Sequence, residues 1–206
     1  MTLIDPGGPM QAARRFTIVL VLGVGLTAAL AGCGPAPWET QPTAEPTGSA
    51  TAVPTPVAND LSTGSTQREL EAGAVAATVD YWSTLSMDRW TPGAVKPVSL
   101  NLTTTVTPDD GQKVYLQRAT MIAVPSTGAE TLAPLEPQVD AATVSPGYLV
   151  LSPYGYSQTF NVGPVPEEAT SVTLQFTYDF LVQTTPTSSE YAKQTASDTL
   201  TVALSG

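Results

Sequence analysis

The chain is poor in histidine and cysteine, the residue types on which many common catalytic sites depend. Cys33 is its only cysteine, and it contains no histidine. Without histidine, Ser-His-Asp and Cys-His catalytic groups and histidine-ligated zinc sites cannot form. The GxSxG, GxxxxGK[ST] and GxGxxG motifs of hydrolases and nucleotide-binding proteins are also absent. A Ser-Lys pair or a glycosidase-type carboxylate pair stays open, although nothing places a lysine beside a particular serine. We therefore expect a non-catalytic protein without a cofactor.

The residues around Cys33 point to another chemistry, acylation of the thiol. The cationic pair Arg14-Arg15 precedes an apolar segment, residues 16–31, and Leu30-Ala31-Gly32-Cys33 closes it. This order resembles the signal peptide and lipobox of bacterial lipoproteins. The resemblance implies cleavage before Cys33, a diacylglyceryl thioether on its sulfur and a position on the outer face of the cell membrane. The alternative, a transmembrane helix, needs about 20 apolar residues, more than this segment offers.

Composition divides the chain into three parts. Residues 1–32 form the expected signal peptide, with Met10 as an alternative start to Met1. Residues 33–66 are rich in Pro, Thr and Ala and contain too few large apolar side chains to fold, so we expect a disordered tether. Residues 67–206 are enough for one domain with its own core.

Alternating apolar and polar residues predict strands in this domain. Residues 98–107 and 172–182 alternate most clearly, and shorter strands are predicted at 114–123, 148–151, 156–162 and 200–204. Residues 66–85 are ambiguous, because Thr66-Gln67-Arg68-Glu69 resembles a helix capping box while Val75, Ala77, Val79 and Tyr81 alternate like a strand. We favour a strand there, with at most a short helix before it.

These patterns predict an all-β fold, an antiparallel β-sandwich of six to eight strands. Pro108-Asp109-Asp110-Gly111 has the composition of a hairpin turn between two strands. Amphipathic helices that could cross between parallel strands are missing from the pattern. The architecture resembles an immunoglobulin-like sandwich, although the Cys-Trp-Cys signature of true immunoglobulin domains is absent.

Two groups of side chains are candidates for binding. Trp82, Trp90, Tyr154 and Tyr156 fall near predicted strand ends, where exposed rings could stack on a sugar or anchor a protein; packing in the core is the competing interpretation. Asp109 and Asp110 could bind calcium, but a solvated turn selects the same residues, and we expect no metal site.

Charge limits the range of partners. Residues 33–206 carry six Lys or Arg against seventeen Asp or Glu. Such a surface is repelled by nucleic acid and by anionic headgroups, so the lipid on Cys33 must supply membrane attachment. The sequence predicts a lipid-anchored, exported domain that docks on an envelope protein or complex. The alternative is a glycan- or small-ligand-binding lipoprotein that uses exposed aromatic side chains.

Overall fold

The structure is a computed structural model that describes residues 57–206. These residues form nine β-strands and one short 3-10 helix, Met87–Arg89. The strands are β1 (Ser65–Ala72), β2 (Val75–Trp82), β3 (Lys96–Val106), β4 (Val114–Ser126), β5 (Gln138–Ala141), β6 (Tyr148–Leu149), β7 (Gly155–Val162), β8 (Ser171–Gln183) and β9 (Tyr191–Ala203). The predicted signal peptide, the lipobox with Cys33 and most of the predicted tether lie outside the described residues. The helix among residues 57–206 has three residues, so the described part of the chain contains no helix that could span a membrane.

The strands form two antiparallel sheets, as the all-β prediction required. The first sheet has the order β1-β2-β3-β7 and the second the order β5-β4-β8-β9. The short strand β6 also pairs with β4, next to the residues of β4 that pair with β5. The fold is therefore the predicted β-sandwich. Its described residues contain nine strands, more than predicted, because the sequence pattern did not separate β1 from β2 and gave no signal for β5.

The neighbours of five strands can be compared with those in an immunoglobulin domain. β3 pairs with β7 in the first sheet, and β4 pairs with β8, which pairs with β9, in the second. In immunoglobulin domains strand B lies beside E, and strand C lies beside F and then G. The chain crosses between sheets after β3 and again after β7, as it does after strands B and E.

The core lies between the two sheets and follows from the period-two pattern. Even-numbered residues of β3 and β8 and odd-numbered residues of β2 point inward, so that Leu100, Phe176 and Tyr81 are fully or almost fully buried. The Tyr81 and Phe176 rings pack with centroids 5.0 Å apart. Because β2 belongs to one sheet and β8 to the other, these contacts join the two layers.

One local prediction was wrong, and one ambiguity is resolved. Pro108–Gly111 does not turn a hairpin, because β3 and β4 belong to different sheets and the segment crosses between them. The ambiguous residues 66–85 form strands, as we favoured, and the capping-box alternative does not hold. Thr66 lies in β1, which makes a tight hairpin with β2 through Gly73, whose φ of 60° suits glycine. Tertiary pairing therefore overrode the local helix signal.

The domain begins earlier than residue 67, the predicted boundary. Leu61 is fully buried and β1 begins at Ser65. Just upstream, the Asp60 backbone N–H donates to the Thr201 carbonyl at 2.8 Å, and the Thr201 N–H donates to Asp60 Oδ2 at 2.7 Å. These bonds occupy the outer edge of β9. One buried leucine and one aspartate thus attach a segment whose composition alone resembles the tether.

Candidate functional site

The structure separates the four aromatic side chains that the sequence singled out. Trp90 is fully buried and Tyr156 is only 6% exposed, so neither ring is available as a stacking surface. Trp82 is half-buried on the outer face of β2, opposite Ser99. Tyr154 is 58% exposed just before β7. The binding interpretation is therefore wrong for Trp90 and Tyr156, and the competing interpretation, packing in the core, holds for both.

A hydrogen-bond chain explains the burial of Trp90. Its indole Nε1 donates to Ser83 Oγ at 3.2 Å, and that hydroxyl donates to the Pro97 carbonyl at 2.6 Å. A buried tryptophan needs such a partner for its N–H. Trp90 therefore closes the end of the core near the 3-10 helix.

Tyr156 takes part in a polar group that we call the tyrosine–aspartate cluster, Asp140, Tyr148 and Tyr156. The Tyr156 hydroxyl donates to Asp140 Oδ2 at 2.7 Å, and the Tyr148 and Tyr156 ring centroids lie 5.3 Å apart. Desolvation and the Asp140 carboxylate raise the pKa of Tyr148, and burial and Asp140 raise the pKa of Tyr156. Both phenols therefore remain neutral hydrogen-bond donors.

Strand register brings the cluster together. Asp140 pairs with Ala119 and Tyr148 with Leu116, both buried, so these side chains share the inner face of the second sheet. Tyr156 is an inward-facing residue of β7, the edge strand of the first sheet. The cluster consequently spans the gap between the two sheets at one edge of the sandwich. Tyr148 remains 37% exposed there.

Two further contacts hold this edge in place. The Gln138 side-chain amide bonds both backbone groups of Asn161, accepting from its N–H at 3.0 Å and donating to its carbonyl at 2.5 Å. Gly147 has φ of 150°, and a Cβ there would overlap the Leu116 carbonyl oxygen. β5 and β6 are thereby fixed against the rest of the sandwich, and the cluster is preorganised.

Exposed apolar side chains concentrate on the stretch of chain that contains β5 and β6. Of the six large hydrophobic residues with substantial exposure among residues 57–206, four lie between residues 139 and 154: Val139, Val144, Tyr148 and Tyr154. We call residues 139–154 the exposed segment. Sequence analysis missed Tyr148 and Asp140 as site residues, because Tyr148 was assigned to a strand and β5 carried no recognisable pattern.

The exposed segment ends among the loops at one end of the sandwich. Residues 57–64 join β1 at the opposite end, beside Trp82, so we call the loop end the distal end. Its loops contact one another. The Thr107 N–H donates to the Ala74 carbonyl at 2.9 Å, and the Ser152 N–H donates to the Thr104 carbonyl at 2.9 Å. A shallow cleft of about 300 Å³ lies beside the β1–β2 turn.

Asp109 and Asp110, the candidate calcium ligands, lie in a distal-end turn. The Gly111 N–H donates to Asp109 Oδ1 at 3.1 Å, and the Asp110 N–H donates to Gln112 Oε1 at 2.7 Å. Residues 57–206 contain no group of three His, Cys, Asp or Glu side chains placed to hold a metal ion. The bond from Gly111 to Asp109 is that of an aspartate-initiated turn.

Lys96, a residue with no assigned role in the sequence analysis, is fully buried near the opposite end. Its ammonium donates to the carbonyls of Thr91, Pro92 and Ala94, at 3.1, 3.3 and 2.6 Å. Burial lowers the pKa of Lys96. The three carbonyls satisfy the three donors of the ammonium, so that Lys96 fixes the loop before β3.

A second buried polar group joins the two sheets. The Tyr81 and Tyr178 hydroxyls lie 2.9 Å apart, and Asp198 Oδ2 is buried nearby without a hydrogen-bond partner. Asp198 Oδ1 accepts the Thr199 N–H at 2.7 Å. Both tyrosines were predicted only as strand residues. Their role depends on how the sheets face each other, which the alternation pattern does not report.

Comparisons with known proteins give no relative to reason from. No protein-family model matches the chain, and no curated protein matches it. Any statement on function therefore depends on the residues and geometry described above.

Proposed function

We propose that this protein is an exported lipoprotein, anchored through Cys33 to the outer face of the cell membrane, whose β-sandwich docks on another envelope protein or complex. It acts by binding rather than by catalysis. The observation that carries the binding role is the concentration of exposed apolar side chains on residues 139–154. Exposed large apolar side chains that gather on one segment are a typical feature of interaction sites.

Sequence features support the anchoring half of this proposal. The lipobox tetrapeptide directly follows an apolar segment, and a Pro- and Thr-rich stretch follows Cys33. Two or more acyl chains hold a protein on a bilayer stably, whereas one chain is marginal. A lipid-modified Cys33 with an acylated amino terminus meets that condition.

Geometry supports a recognition role for the distal end. Residues 57–64 join the sandwich at the other end, so the distal loops lie away from the point of attachment. Tyr154 is among the exposed residues there. By the strand correspondence, the distal loops after β3 and β8 occupy the positions of the B–C and F–G loops, which bind antigen in variable domains.

Glycan binding is the second candidate function. The half-exposed Tyr148 ring beside the Asp140 carboxylate favours it, because saccharides stack on aromatic rings and donate hydroxyl hydrogen bonds. Of the four candidate aromatic residues, Tyr154 is exposed and Trp82 partly exposed, whereas Trp90 and Tyr156 are buried.

Metabolic labelling tests the anchor. Cells that express the native chain or Cys33→Ala are fed a palmitate analogue, and label and membrane retention are compared. We expect both to be lost in the variant. Unchanged label and retention would refute the anchor while leaving the binding proposal standing.

Site-specific photocrosslinking tests the docking role. A photoreactive amino acid replaces Tyr154 in the full-length protein in cells, and a matched control replaces Val95, which is 57% exposed in the loop before β3, at the opposite end. We expect one protein partner to crosslink at near-stoichiometric yield from position 154 and not from position 95. Equal crosslinking from both positions, or none from either, contradicts docking through the distal end.

A further inference from the structure

The Asp140 carboxylate has no basic partner. The two ion pairs found among residues 57–206 are Arg68–Asp60 and Lys193–Asp179, and neither involves Asp140. Arg118, opposite Ala141 in the adjacent pair, lies on the other face of the sheet from Asp140, because neighbouring strand residues point to opposite faces. The Asp140 carboxylate accepts a hydrogen bond from the Tyr156 hydroxyl, a neutral donor, at 2.7 Å. Asp140 therefore has a hydrogen-bond donor, but no positive charge neutralises its carboxylate.

Two tyrosine side chains lie beside this charge. Tyr148 packs on Tyr156 with an interplanar angle of 32°, and Tyr148 keeps 37% of its surface exposed. An aromatic face attracts a cation, and a carboxylate beside it adds a direct ion pair. A planar guanidinium can stack on a tyrosine ring and donate to a carboxylate at the same time.

The charge of the whole domain favours the same ligand. Of the six basic residues in 57–206, Lys96 is buried, and Arg68 and Lys193 are already paired. The fifteen Asp and Glu residues of this range thus leave a strongly acidic surface. Long-range attraction consequently steers basic partners toward the domain and repels acidic ones.

We infer that the tyrosine–aspartate cluster of Asp140, Tyr148 and Tyr156 is the binding site for an arginine side chain presented by the protein partner. This inference rests on the proposed docking function and names the chemistry of the contact. The guanidinium stacks on the exposed part of the Tyr148 ring and donates to the Asp140 carboxylate. Tyr156 holds Asp140 in position and makes no contact with the partner.

Ligand-observed NMR tests this contact on the full-length chain in detergent micelles. Saturation transfer is titrated with N-acetyl-arginine methylamide and with its citrulline analogue, which has nearly the same shape but no charge. We expect the arginine probe to bind at least about tenfold more tightly than the citrulline probe, a difference of about 1.4 kcal/mol. Equal binding of the two probes would overturn the inference.

Variants locate the binding. Asp140→Asn and Tyr148→Ala should each raise the dissociation constant of the arginine probe by about tenfold. Tyr148→Phe, which keeps the ring, should retain binding. Asp80→Asn, which changes an exposed carboxylate on β2, and Tyr115→Ala, which removes a ring of another surface tyrosine pair, are the matched controls. Binding that survives Asp140→Asn, or falls equally in the controls, shows general attraction to an acidic surface and overturns the site.

A glycan probe separates the two partner classes. Chito-oligosaccharide binding that depends on Tyr148, without arginine binding, would replace this inference with the glycan candidate. If crosslinking at position 154 captures a partner but the arginine probe does not bind, the docking function stands and this inference fails. If the arginine probe binds as expected but no partner crosslinks, the docking proposal fails at the distal end while the cation site stands.

Discussion

Tyr81 and Tyr178 bring their hydroxyl oxygens within 2.9 Å of each other in the centre of the sandwich, one from each sheet. Both residues are fully buried. The bond is thus an inter-sheet contact that neither sheet could make alone. It fixes the lateral position of the two layers, because a hydrogen bond tolerates less displacement than an apolar contact.

Removing one of these hydroxyls should destabilise the domain. In Tyr81→Phe or Tyr178→Phe the remaining hydroxyl is left buried and without its partner, so we expect a loss of about 1–3 kcal/mol in the free energy of unfolding. The double variant should lose less than the sum of the single losses, because it leaves no orphaned hydroxyl. Urea denaturation measures all three, with Tyr115→Phe as a surface control. Additive losses would show that the two hydroxyls do not interact.

Alkaline pH should unfold the domain through the same pair. Burial raises the pKa of Tyr81 and of Tyr178 above the ordinary value of 10.0, so the folded state disfavours both phenolates. Each raised pKa contributes stability that is complete below about pH 10 and is lost above it, by about 1.4 kcal/mol per pH unit for each group. The lowered pKa of Lys96 has the opposite effect on stability, which it raises as the pH increases from the folded-state pKa toward the ordinary lysine value.

Urea denaturation between pH 8 and pH 12 measures this loss. The double variant Tyr81→Phe/Tyr178→Phe should show a shallower decline than the native chain, because the two buried groups that titrate are gone. Identical declines in both proteins would assign the alkaline transition to other residues.

Lys96 should be essential to the loop before β3. In Lys96→Met the carbonyls of Thr91, Pro92 and Ala94 lose their shared donor, and we expect a loss of about 2–4 kcal/mol in the free energy of unfolding. Lys113→Met, at an exposed position, should change it by less than about 0.5 kcal/mol. Thermal and urea denaturation provide the comparison. If Lys96→Met is as stable as Lys113→Met, the carbonyl bonds contribute little.

Gly147 should tolerate no side chain. In Gly147→Ala the new methyl group overlaps the Leu116 carbonyl, so β6 must move and carry Tyr148 away from Asp140. We expect a loss of about 1–3 kcal/mol in stability. Gly93→Ala is the matched control, because a Cβ there meets nothing within 4 Å. Backbone amide exchange in β6 should increase in Gly147→Ala alone. Protection that stays native in β6 would contradict the close approach.

Local sequence patterns determined the fold class and the main strands. Alternation over residues 98–107 and 172–182 predicted β3 and β8 and their inward faces, because a half-buried strand imposes a period of two on its own residues. Composition likewise predicted a signal peptide and a Pro-rich tether, and the resemblance to a lipobox lies in four consecutive residues.

Only the tertiary structure decided which aromatic and polar side chains meet. Trp90 and Tyr154 look equivalent in sequence, yet one is buried against Ser83 and the other is 58% exposed. Asp140, Tyr148 and Tyr156 come from three strands, and their cluster depends on the register of β5 and β6 against β4 and on the proximity of β7. Register within a sheet and packing between strands of different sheets are long-range properties, set by how the whole core assembles. A pattern read along one strand does not carry that information.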